Sequence, residues 1–93
     1  MVEDDGRRLI RAINELQAND RVGALVSVSN EVTYHTGIGP EFYPESERCD
    51  AAVAYLVNQG ALVPEEGLDA LDVVGKAYGF FRITQTGLDM ARS

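Results

Sequence analysis

The chain has one cysteine and one histidine, and each scarcity removes a class of chemistry. A lone thiol, Cys49, has no partner for an internal disulfide, which agrees with a reducing compartment. With His35 as the sole imidazole, no set of residues has the spacing of a metal site, and no nucleophile motif or phosphate loop frames it. The expectation is no catalysis, no metal and no cofactor. Cations are also scarce: 8 Lys and Arg stand against 15 Asp and Glu, a net charge of −7 at pH 7 that opposes phosphate backbones. No apolar stretch approaches a membrane span, and the N-terminus, MVEDDGRR, is acidic where a secretory signal is basic and then apolar. A cytoplasmic protein without a membrane partner is expected. Repeats, linkers and low-complexity tracts are missing too, so the 93 residues are expected to form one domain, 1–93, with a single small core.

What is present is 45% hydrophobic residues, enough for a packed globule and too many for a disordered chain. The clearest pattern lies in residues 46–63, SERCDAAVAYLVNQGALV. Cys49, Ala52, Val53, Leu56 and Val57 recur at helical spacing and make one apolar stripe. Gly60 offers the left-handed position that ends a helix, and Ala61, Leu62 and Val63 resume as a short strand before Pro64. The spacing predicts a helix over 46–59 with Val53 and Leu56 buried. Pro44 suits its first turn, and Glu45, Glu47 and Asp50 suit the positive end of its dipole. Cys49, on the stripe, is expected to be buried and inert, with Glu45 and Asp50 further disfavouring its thiolate.

Upstream, Asp4 or Asp5 is placed to cap a helix over 6–18 that turns Leu9, Ile10, Ile13 and Leu16 inward. Arg7, Arg8 and Arg11 lie off that stripe, Arg11 with Glu15 as its i, i+4 partner; such a face is ordinarily solvated. Residues 21–38 admit two readings. In one, 22–26 is a strand and Ser27 or Ser29 caps a helix to Thr36, closed by Gly37; in the other, 24–29 and 32–36 are hairpin arms turning at Asn30-Glu31. Residues 39–44 read as a turn that packs Phe42 or Tyr43 inward. Further on, 68–74 leads to a two-residue turn at Gly75-Lys76, and 80–83 is a strand expected to pair near Leu62. Thr84 is a natural cap for a last helix over 85–91, with Leu88 and Met90 inward.

The order helix, AYLVNQGALV, glycine-containing hairpin and FFRITQTGLDMA resembles the C-terminal half of winged-helix domains of bacterial and archaeal regulators. The match covers about 46–91 and rests on Gly60 and on Thr84-Gln85-Thr86-Gly87. It implies an α+β fold of three helices, a β-hairpin wing and a short C-terminal helix, and it favours the helical reading of 27–36. The link 37–45 is longer than the tight turn of a helix-turn-helix. By the same resemblance the domain would regulate transcription by binding duplex DNA, with Ser46, Arg48 and Tyr55 on the third helix and Lys76 and Tyr78 on the wing. A homodimer could then add Arg7, Arg8 and Arg11 to a composite basic face. The acidic third helix, with Glu47 and Asp50 exposed, opposes that use. The alternative is an acidic protein-interaction or dimerisation module that uses Phe42, Tyr43, Tyr78, Phe80 and Phe81.

Overall fold

A computed structural model describes residues 1–65 and 77–93 and builds them from four α-helices, one π-helical segment and a three-stranded antiparallel sheet. The first helix, α1, covers Val2–Ile13 and starts earlier than its acidic residues implied. Asp4 and Asp5 lie inside its first turn, where carboxylates favour the helix dipole, and neither caps it. Leu9, Ile10 and Ile13 are buried as the periodicity requires, and Leu16 packs at the edge of the core. α1 continues into a π-helical segment, Asn14–Ala18, which stops at Asn19 and Asp20, both at positive φ.

Residues 21–38 combine halves of both readings. The strand β1 is Leu25–Ser29, the first arm of the hairpin reading, and Val22 is left exposed in a turn. The second half is helical: α2 spans Asn30–His35, with Ser29 Oγ accepting the Val32 N–H. That cap and the burial of Val32 and Thr33 override the local β propensity of the segment. Phe42 is the aromatic that packs inward after α2, and Tyr43 stays exposed.

Pro44 lies in the turn ahead of α3, outside its first turn. α3 is Glu47–Asn58, capped by Ser46 Oγ on the Cys49 N–H at 3.1 Å and followed by Gly60 at φ 77°. Cys49, Ala52, Val53 and Leu56 are buried, as the stripe demands. β2 (Leu62–Pro64) and β3 (Ala77–Ile83) come next, and Thr84 Oγ1 accepts the Gly87 N–H to start α4, Gln85–Arg92. Leu88 is buried and Met90 half-buried. The expected segment 68–74 and the Gly75-Lys76 turn lie outside the described residues.

The sheet order is β1-β3-β2, with Leu25 opposite Arg82, Val26 opposite Phe81, and Leu62 opposite Ile83. Because side chains alternate along a strand, Val26, Val28, Leu62, Phe81 and Ile83 join the core on one face while Leu25, Val63 and Arg82 line the other. The helices cover the inner face, α1 packing against both α3 and α4. The β1 edge is stoppered by the π segment: Gln17 Oε1 accepts the Ser27 N–H at 2.8 Å and Gln17 Nε2 donates to the Ser27 carbonyl at 2.6 Å. A side-chain amide thus takes the place that a neighbouring strand would occupy.

Two substitutions test this packing by urea denaturation. Leu56→Ala should destabilise the fold by ~2–5 kcal/mol, the usual cost of truncating a buried leucine. Gly87→Ala should cost about 1–3 kcal/mol by overpacking, because a Cβ there would collide with the Ala61 carbonyl oxygen and meet Ile83. A neutral result at either position would mean that α3 or α4 is seated differently.

Candidate functional site

α3 turns Glu47, Arg48, Asp50, Ala51, Ala54 and Asn58 to solvent. Ser46, expected among these exposed positions, is 7% exposed because its hydroxyl caps the helix and donates to the Tyr43 carbonyl at 2.7 Å. Tyr55 is half-buried, its ring lying where a side chain at Gly6 would otherwise sit. Arg48 is the sole cation of α3, and each of its three guanidinium nitrogens donates to a carboxylate. Nε and Nη2 donate to the two Asp5 oxygens at 2.7 and 2.9 Å, and Nη1 donates to Glu41 at 2.6 Å. The hydrogen bond from Arg48 holds the Asp5 carboxyl below the usual range even though burial pulls the other way. The same bond raises the arginine further.

The remaining candidates scatter. Lys76 and the Tyr78 side chain lie outside the described residues. Phe42 and Phe81, offered to a protein partner, are core residues; the outer positions of β3 are 80 and 82. Phe80 is half-buried and Tyr43 exposed. Sequence reasoning missed Tyr34, which is 88% exposed, and the apolar row of Val22, Leu25 and Val63. Strand alternation and the buried pair Val32 and Thr33 on α2 were the available signals for them.

The α1 arginines separate into two neighbourhoods. Arg7 donates to Ser93 Oγ at 3.3 Å. Arg11 does not pair with Glu15; it donates to the main-chain oxygens of Ala91 and Ser93 at 3.4 and 2.9 Å. Glu15 instead meets His35 Nε2 at 3.0 Å. Arg8 has no hydrogen-bond or ion-pair partner among the described residues. Arg8 and Arg11, with Ala12, Glu15, His35 and Thr36, line a polar concavity of about 300 Å³. A second, apolar one of about 570 Å³ is lined by Thr33, Tyr34, His35, Gly37, Gly39 and Pro40. His35 borders both.

Comparison with family models, with curated proteins and with solved structures finds no match. Among the described residues no group of three or more His, Cys, Asp and Glu could hold a metal ion, and no helix is long and apolar enough to cross a membrane. Cys49 is fully buried, and burial first, then the Asp50 charge, push its thiol up to about 11. The Glu45 backbone acts in the opposite sense to the one expected of that residue, lowering it.

These environments set the outcome of two measurements. Folding lowers the Asp5 pKa, so its contribution is present above about pH 4, the unfolded carboxylate range, and is lost as pH falls through the lower folded value. Asp5→Asn should therefore lower the unfolding midpoint at pH 7, and the gap to the parent should close as pH drops below about 4. A gap independent of pH would exclude the ion pair as its cause. Labelling of native Cys49 by a thiol reagent should be slow and should accelerate only on unfolding; rapid labelling of the folded chain would contradict its burial.

Proposed function

We propose that the chain is a non-catalytic winged-helix domain that serves as a protein-interaction or dimerisation module and does not read DNA through α3. The order helix, strand, helix, helix, strand, strand, helix, with the β1-β3-β2 sheet, supports the winged-helix half of the proposal. So do Gly60 at the end of α3 and the Thr84 cap on Gly87.

The functional half is carried by Arg48. Non-specific affinity for a duplex comes from cations that neutralise phosphates, and base reading needs that affinity to bring the helix into the groove. On α3 the single guanidinium is already neutralised by Asp5 and Glu41, while Glu47 and Asp50 face solvent unpaired among the described residues. A helix of this charge is repelled by DNA. The long connection between α2 and α3, with Gly37, Gly39 and Glu45 at positive φ, further departs from a compact helix-turn-helix.

The surface best suited to a protein partner is the outer face of the sheet. Leu25 and Val63 flank Arg82 in register, Phe80 is half-buried beside them, and Arg82 is paired with Glu65 at 3.1 Å. A second copy of this chain is the partner to test first. DNA binding is the second reading, supported by the element order and by Arg7, Arg8 and Arg11, which pair with no side-chain carboxylate among the described residues.

Fluorescence anisotropy with a mixed-sequence duplex should show no binding at low salt, while sedimentation equilibrium should show association that Leu25→Glu or Val63→Glu weakens. Tight binding whose log–log salt slope is about −0.9 per phosphate, and which Arg48→Ala weakens, would overturn the proposal in favour of DNA.

A further inference from the structure

We propose that the two concavities meeting at His35 form one binding site for a small aromatic carboxylate, with the ring on Tyr34 and the acid group on Arg8 and Arg11. The inference rests on the geometry around α2 and is independent of what the outer sheet face binds.

The charge is the first observation. Arg48, Arg82 and Arg92 each have a carboxylate partner, as a chain of net charge −7 readily provides. Arg8 has none among the described residues, and Arg11, one turn on, donates to the main-chain oxygens of Ala91 and Ser93 and to no side-chain carboxylate. The carboxylate that helical spacing would have given Arg11 is Glu15, which pairs with His35 at 3.0 Å instead. Glu15 belongs to the π-helical segment, and π turns inside helices recur at functional sites. Arg8 and Arg11 thus face a polar hollow of about 300 Å³ whose one lining carboxylate, Glu15, is already held by His35. A planar guanidinium matches a carboxylate with two parallel hydrogen bonds, a fit that a point charge lacks.

The neighbouring hollow is the second. Tyr34 is 88% exposed, the most exposed aromatic among the described residues, at the rim of a space of about 570 Å³. Gly37 and Gly39 sit at φ 71° and 138° and bring no side chain to the wall, and Pro40 adds an apolar surface. Nothing in the fold explains an aromatic at this position: α2 turns Val32 and Thr33 to the core and Tyr34 away from it. Small-ligand sites combine an apolar cavity of a few hundred Å³ with a few convergent polar groups, and these two hollows joined at His35 have that composition. His35 Nε2 is held by Glu15, so the imidazole is oriented where the compartments meet.

The test uses naphthalene-1-acetate titrated into the ¹⁵N-labelled full chain, followed by NMR. Amides from Tyr34 to Gly39 and the Nε–H signals of Arg8 and Arg11 should move together to saturation. The neutral isostere, naphthalene-1-acetamide, should bind at least about tenfold more weakly, the worth of a charge-assisted pair. Arg8→Ala should erase that preference for the acid, whereas Tyr34→Ala should weaken acid and amide alike. Both residues are exposed, so spectra of the free variants should match the parent outside the site. Equal affinity for acid and amide, shifts confined to other surfaces, or no saturable shift at millimolar acid would overturn the site.

Discussion

The close approach of α1 and α3 is the constraint on which the rest of the structure depends, and two adjacent residues set it. Gly6 has no Cβ, and the Tyr55 ring occupies that space; a methyl group there would lie 2.7 Å from Tyr55 Cδ2. Asp5, the residue before it, is 6% exposed, and a carboxylate that buried needs a partner whose geometry satisfies both oxygens. Arg48 supplies it from the first turn of α3. A pair with one buried partner adds little net stability compared with an apolar contact, but breaking it leaves the buried carboxylate uncompensated, so it fixes where α3 lies more than how strongly it is held. Arg48, itself part-exposed, is thereby paired with carboxylates on α1 and in the preceding loop, while Glu47 and Asp50 lie exposed beside it.

A second consequence runs through the π segment at the end of α1. Within Asn14–Ala18, Gln17 binds the free edge of β1 and Glu15 pairs with His35. The first closes Ser27 to another strand, which matters for a sheet whose edge would otherwise present unpaired N–H and C=O groups. The second ties the segment to the end of α2 and leaves Arg11 to the main-chain oxygens of Ala91 and Ser93.

The elements with a period or an end signal were legible in the sequence. α3 has an apolar stripe and a terminal glycine that agree, and α4 has Thr84; both appear within a residue or two of expectation, though the Ser46 cap was not foreseen. The pairing of the strand at Phe80 with Leu62 came from the same order. Residues 21–36 were half legible, because Val, Thr and Tyr favour strand locally while the Ser29 cap and the burial of Val32 act in tertiary context. The site was far less legible. Asp5 and Arg48 are 43 positions apart, and nothing local distinguishes a solvent-facing arginine from one that reaches another helix. The i, i+4 rule gave Glu15 to Arg11, because nothing local shows that His35, 20 positions on, takes it instead. Phe42, also read as one of two residues to pack inward, and Phe81 stood among the aromatics offered to a partner, because aromatic content alone does not tell a core position from a patch.

The most direct test of the central claim, that α3 is silenced for DNA by the capture of Arg48, is to release that arginine. Asp5→Asn combined with Glu41→Gln removes both counter-charges, and circular dichroism can verify that the variant is folded. The account predicts that the parent does not bind a mixed-sequence duplex at low salt, that the double variant gains salt-sensitive binding, and that adding Arg48→Ala abolishes the gain. Binding by the parent that the double substitution leaves unchanged would contradict it, since the acidic partners of Arg48 would then have no bearing on what α3 can approach.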